Sequence, residues 1–328
     1  MFMNLIKSLA IFCLAVILSS SLQAADTGTV RAFKITGNVT LKHDDTGKVT
    51  PLELGKGFGQ GYTVITGKKS SVLLVFSNGS TINLDEKSSL SVSEFMQEKF
   101  DKTKGTYLDL QADPSVSKTE LQLNYGELAF HVKKLSNGSS FNVNTEVGSA
   151  GIRGTRGKVS VIKVGNTVRV KVVNRDGSVV WLQMMNGRLQ SDNAGKTVQA
   201  GTALNFTKNA TDTGGTVTPS QVEKAELDAI KDAVDNIDEN LREFVEAVLE
   251  LEVAQETGDQ EKIDAAAQKV ANATKKSKKG RVFSGVDFDS RDGEVDLIDF
   301  DESVKDALNN QTNSEDTDTS STYLNLRF

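Results

Sequence analysis

The chain has 328 residues, of which 38% are hydrophobic, 6% aromatic and 25% charged, with 27 glycines and three prolines. It is long enough for one large or two modest domains around a light core, and too polar for a protein with many membrane spans. The formal charge of -6, from 44 acidic and 38 basic residues, lacks the concentrated positive field that phosphate backbones attract, so nucleic acid is not an expected partner.

At the N-terminus Lys7 precedes an apolar run from Ser8 to Ile17, and Ser19-Ser20-Ser21-Leu22-Gln23-Ala24-Ala25 supplies the small residues a signal peptidase requires. Residues 1–24 therefore read as a signal peptide. The run is short for a membrane span and no second one follows, so the mature chain is expected to lack a transmembrane segment. The expected location is the periplasm, the cell surface or the medium of a Gram-negative bacterium. Cys13, the single cysteine, departs with the signal and leaves no thiol for a disulfide or a metal.

Residues 25–208 read as an all-β domain, either a sandwich or a solenoid-like coiled sheet of short strands. Val30–Ile35, Ser71–Phe76, Ser80–Leu84, Glu120–Tyr125, Glu127–Val132, Ser140–Val143, Lys158–Val164, Thr167–Val173 and Ser178–Leu182 are rich in β-branched and aromatic residues. Turn pairs separate them: Asn78-Gly79, Asn137-Gly138, Asp176-Gly177 and Asn186-Gly187. From Leu90 to Ala112 the alternation fades. Phe95, Met96, Phe100 and Tyr107 stand among Glu98, Lys99, Asp101, Lys102 and Lys104, which predicts a surface excursion pinned by its aromatics and carrying one short helix or edge strand. Such loops on a β scaffold often carry recognition.

Residues 209–219, rich in Thr, Gly, Asn and Asp, read as a linker. Residues 220–280 read as helical, opened by a capping box of Ser220 and Glu223. Leu227, Ile230, Val234, Ile237, Leu241, Phe244, Val248 and Leu251 recur at spacings of three and four, which predicts one stripe on a single helix about 33 residues and about 50 Å long. Thr257-Gly258-Asp259 reads as a turn, after which Ile263, Ala266, Ala267 and Val270 mark a second helix able to fold back as a hairpin. The stripe is covered either by that hairpin or by contact with a partner, including a second copy in a homo-oligomer. Lys275-Lys276-Ser277-Lys278-Lys279-Gly280-Arg281 places cations at the helical C-terminus, where the dipole favours them.

Residues 281–328 form an acidic tail, expected to be partly disordered. Within it Asp287, Asp289, Asp292, Gly293, Asp296 and Asp299 resemble a calcium loop with oxygen donors at alternating sites, although Arg291 makes the loop one residue too long. Calcium is the single cofactor the sequence suggests. The only histidines are His43, in a polar turn beside Asp44 and Asp45, and His131, expected on the solvent side of its strand. No serine sits in a nucleophile elbow, and no catalytic residues are assigned. Trp181, the sole tryptophan, reads as core or sheet surface.

Taken together, Gly57-Phe58-Gly59-Gln60-Gly61-Tyr62-Thr63-Val64-Ile65-Thr66-Gly67 running on through Ser71–Phe76 to Leu84, then Leu123-Asn124-Tyr125-Gly126-Glu127-Leu128-Ala129-Phe130-His131-Val132, Phe141-Asn142-Val143-Asn144-Thr145 and Ala150-Gly151-Ile152-Arg153-Gly154-Thr155-Arg156-Gly157, resemble the FecR-like domain. The resemblance extends over about residues 28–207 and closes on Val198-Gln199-Ala200-Gly201. It implies a β module of the envelope. The best-known members join a cytoplasmic anti-sigma segment through one span to a periplasmic domain that listens to an outer-membrane transporter. The signal peptide read here departs from that plan. What the resemblance implies is a noncatalytic binding or scaffold module for an envelope protein or glycan, with two alternatives: a trans-acting component of cell-surface signalling, or a binder of wall or capsule glycan. Arg153 is expected to pair internally between its glycines, and Thr155 to fill a strand site.

Overall fold

The computed structural model describes residues 26–102, 107–185, 188–190, 195–209 and 214–279. The signal segment, the calcium candidates Asp287, Asp289, Asp292, Asp296 and Asp299, and the acidic tail lie outside the described residues. The first strands in chain order are β1 (Asp26–Thr27), β2 (Val30–Thr36), β3 (Val39–His43), β4 (Val49–Pro51), β5 (Gly57–Phe58), β6 (Tyr62–Thr66), β7 (Ser71–Phe76), β8 (Thr81–Leu84) and β9 (Ser89–Gln97). β10 (Ser117–Val132), β11 (Ser140–Thr145), β12 (Gly148–Arg153), β13 (Thr155–Val164), β14 (Thr167–Asn174), β15 (Ser178–Met185), β16 (Arg188–Leu189), β17 (Lys196–Val198), β18 (Thr202–Asn209) and β19 (Thr216–Gln221) follow. Three helices complete the chain: α1 (Lys224–Asp235), α2 (Glu239–Thr257) and α3 (Gln260–Lys279).

The strands form two open sheets that share β10. Its N-terminal half pairs antiparallel with β9 and parallel with β11; its C-terminal half pairs with β8 and β13. The first sheet runs β4-β3-β6-β9-β10-β11-β12-β15-β17, with β1 beside β6 on β9. The second runs β5-β2-β7-β8-β10-β13-β14-β18-β19. Gly126, at φ +90°, sits where β10 passes from one sheet to the other, and a Cβ there would lie 2.1 Å from Ser88 Oγ. Two strands were expected on either side of this glycine. The structure makes one, because a residue without a Cβ lets the strand bend without ending.

The inner faces bury one core, including Val30, Ala32, Leu74, Phe76, Leu90, Phe95, Leu121, Phe130, Phe141, Val159, Trp181 and Phe206. This is a sandwich of two sheets, not a solenoid. β7 is buried on both faces: Val72, Leu74 and Phe76 point into the sandwich, while Leu73 and Val75 point into a second cluster beneath the helices. That double burial explains its unbroken apolar run.

Three boundaries differ from expectation. The excursion begins after Gln97 instead of at Leu90, because β9 is an interior strand whose alternation is broken at Ser93, where Glu94 faces Glu120 and Val92 faces Leu121. A bulge shifts the phase and hides the strand from a period-two reading. The segment read as a linker is half strand: β19 pairs with β18 from Thr202↔Gln221 to Thr207↔Thr216. Ser220 accordingly lies in β19, and α1 begins at Lys224 with Glu223 at its N-cap making no side-chain cap bond. The single long helix is two, broken at Asn236–Asp238. Asp238 caps α2 by accepting from the Leu241 amide at 2.8 Å, a local bond that competes with helix continuation. The turn at Gly258 is as expected, in the left-handed conformation at φ +68°.

Candidate functional site

All three helices pack against the outer face of the second sheet. β2 carries a bulge at Phe33, where Ala32 faces Leu74 and Lys34 faces Leu73. The bulge turns Phe33 outward onto Phe244 of α2, edge to face at 5.6 Å. Leu241, Phe244, Val248 and Leu251 of the predicted stripe are buried in this second cluster with Ala266, Val270 and Ala273 of α3, and Ile237 is packed against it. Ile230 is buried in a third cluster with Val173 and Ala203, and Leu227 packs beside it. Val234 is also buried. The eight candidate contact residues are thus covered from within the chain, by the sheet and by the α2–α3 hairpin together.

Charges sort across this seam. The helices contribute carboxylates and the sheet contributes cations. Glu226 of α1 meets Lys158 of β13 at 2.8 Å and Lys171 of β14 at 2.9 Å. Asp235, the last residue of α1, accepts from Arg156 Nε at 2.7 Å and lies 2.8 Å from His131 Nδ1. His131 therefore faces the helices, not solvent, because a sheet whose second face is covered has no wet side there. Burial opposes ionisation of Asp235, but the hydrogen bonds and charges of His131 and Arg156 outweigh it and hold the carboxyl well below its usual range. Glu226 is lowered in the same way, burial being outweighed by Lys158 and Lys171. One pair has the opposite sense: Arg242 of α2 meets Asp109 at 2.5 Å.

The most buried knot lies on α2. Glu252 is 8% exposed. It pairs with the Arg31 guanidinium from β2 and accepts from Tyr107 Oη at 2.6 Å. Arg31 also donates to the Gly55 carbonyl at 2.9 Å. Burial first, and then the adjacent Glu252 carboxylate, push the Tyr107 hydroxyl far above the ordinary tyrosine range, so it remains a donor. Lys102 closes the outer edge, 2.7 Å from Glu256. The excursion predicted to be pinned by aromatics is pinned here by Tyr107.

Two cavities flank this knot, both walled by Thr27, Gly28 and Thr29. One, of about 470 Å³, lies between the glycine-rich turn Gly55–Gly59 and α2, with Leu41, Leu54, Phe58, Tyr62, Val248, Leu251 and Val270 on its walls and Arg31, Lys56, Glu252 and Gln255 as its long polar side chains. The other, of about 450 Å³, is more polar and includes Ser77, Gln97, Lys99, Phe100, Lys102, Tyr107 and Glu256. Among the described residues no group of three or more His, Cys, Asp or Glu is arranged to hold a metal ion, and no helix is long and apolar enough to cross a membrane.

Sequence reasoning missed Arg31, Tyr107, Asp235 and Glu252. Glu252 did leave a trace, since it stands four residues after Val248 and extends the stripe with a charge that burial would oblige to find a partner. In the Gly151–Gly157 stretch, Thr155 fills its strand site and donates to Asn174 at 2.9 Å. Arg153 is exposed, and the internal pairing expected of it is made by Arg156. His43 lies in its turn against Tyr62, and Trp181 is core.

The fold and the seam define an all-β sandwich module with a helical segment clasped to one sheet. The sequence model of the family FecR protein matches residues 62–180, from β6 into β15, and the chain carries a FecR-like domain. Two crystal structures, each of a "putative anti-sigma factor" from Parabacteroides distasonis, are similar to it at 13% identity and a TM-score of 0.34. The alignments cover 51% of this chain and 62% and 63% of theirs, so the chain spans less than two thirds of those solved chains. No curated protein matches.

Proposed function

We propose that the protein is a noncatalytic, exported component of cell-surface signalling that acts in trans by binding an envelope protein. The FecR match over residues 62–180 carries this reading. Its strands form the middle of both sheets, which makes the sandwich the recognition body and the helices an accessory fixed to one side. The first candidate location for contact is the face of the first sheet turned away from the core. The second sheet is already covered by α1, α2 and α3.

The test is cosedimentation of residues 25–328 with outer-membrane vesicles, with the same vesicles stripped of protein by protease, and with peptidoglycan sacculi. Saturable binding to intact vesicles that disappears on stripping is the expected result. Binding to sacculi, or to stripped vesicles equally well, would replace the protein partner with a glycan or lipid and overturn the proposal. Absence of binding in all three would overturn the envelope assignment itself.

A further inference from the structure

The larger cavity is a ligand site by construction, and it is independent of the protein-binding reading above. Its volume of about 470 Å³ falls within the range of about 300–1,000 Å³ typical of small-molecule sites. Its walls are apolar and come from three separate parts of the chain: Leu41 of β3, Leu54 and Phe58 from the glycine-rich turn, and Leu251 of α2. These walls offer no hydrogen bonds to water, so an apolar body gains by replacing it.

The polar groups at the cavity differ in their availability. The Glu252 carboxylate is occupied by Arg31 and Tyr107, and Arg31 has already committed donors to Glu252 and to the Gly55 carbonyl. Lys56 is exposed and has no ion-pair partner among the described residues. An apolar pocket whose available charge is one exposed ammonium is complementary to an amphipathic anion. We infer that this cavity binds a small amphipathic carboxylate of the medium-chain fatty-acid class, its chain lying among Leu41, Leu54, Phe58 and Leu251 and its carboxylate on Lys56.

Decanoate and decan-1-ol, which share a chain and differ in charge, separate the two halves of the inference by isothermal titration against residues 25–328. Decanoate is expected to bind one to one and about fivefold more tightly than the alcohol, the worth of one exposed ion pair. Lys56→Glu should abolish that preference while leaving the alcohol's affinity unchanged. Leu54→Trp and, separately, Gln255→Trp should fill the cavity and remove binding of both; each variant is checked for wild-type unfolding, so that a misfolded one is replaced by the other. No saturable decanoate binding up to about 1 mM, weaker than any useful site, would overturn the site. Equal binding of the two compounds, or a preference that survives Lys56→Glu, would overturn the carboxylate assignment. Binding undiminished in both tryptophan variants would place the ligand elsewhere and equally overturn it.

Discussion

Replacing Phe244 with alanine should release the helices while the sandwich stays folded. The ring is 1% exposed, stands edge-on to Phe33 at 5.6 Å and 77°, and its Cζ lies 3.0 Å from where a Cβ on Gly55 would be. Truncating a phenylalanine so enclosed costs about 3–5 kcal/mol, of which the ring pair accounts for about 1 kcal/mol. Helices of 12 and 19 residues, as α1 and α2 are, are marginal on their own in water, so their persistence depends on this seam. The two layers carry separate reporters. Far-ultraviolet dichroism follows the helices, while Trp181, the sole tryptophan, is 1% exposed in the sandwich core and follows the sheets by fluorescence. In urea, Phe244→Ala should lower the helical midpoint and leave the Trp181 midpoint within about 0.5 kcal/mol of wild type, the usual scatter of an uncoupled site. Coincident transitions that move together would show helices and sandwich to be one cooperative unit. An unmoved dichroism transition would show that the seam does not hold the helices at all.

Glu252→Ala leaves the Arg31 guanidinium without its carboxylate and Tyr107 without its acceptor, and should destabilise the helical transition by about 3–5 kcal/mol; Glu252→Gln, which keeps an acceptor for Tyr107, should recover part of that loss in the same urea titration. The carboxyls of Asp235 and Glu226 are both lowered on folding, so their stabilisation is complete above the unfolded values of about 4 and is lost as the pH falls below them toward the folded values. Stability measured from neutral pH to about pH 2 should therefore decline on the acid side, and Asp235→Asn with Glu226→Gln should flatten that decline by being less stable at neutral pH, not more stable in acid. Gly126→Ala would set a Cβ 2.5 Å from the Ser88 backbone at a positive φ and should cost more than about 2 kcal/mol, read this time by Trp181 fluorescence because β10 belongs to the sandwich.

The sequence disclosed those parts of the fold that repeat. β7, β14 and the C-terminal half of β10 stand out because their apolar residues follow a regular period, and the stripe from Leu227 to Leu251 because spacings of three and four persist across eight positions. Its persistence also misled: the break at Asn236–Asp238 leaves the periodicity intact, since Ile237 still packs on the same cluster, and only the capping bond of Asp238 reveals two helices. β9 was hidden by the bulge at Ser93, and the outward turn of Phe33 by the bulge in β2. Every ionic partner across the seam was out of reach for a different reason. Arg31 and Glu252 are separated by 221 residues, and nothing local in either segment names the other. The apolar cavity is likewise assembled from β3, a turn and α2, three segments with no common periodicity.

The limits of the family match do not coincide with the limits of what can fold. A fragment trimmed to residues 62–180 would discard β2, the partner of β7 from Val30 to Thr36, and β18, the partner of β14 along its whole length. Two interior ladders would then become raw edges, rich in Val and Leu, with unpaired amides that invite association with other chains. The same cut removes Arg31 and Phe33, the anchorage of the helices. Any fragment meant for binding experiments or crystals should run at least from β1 through β19, and a library of shorter pieces should report on aggregation before it reports on recognition.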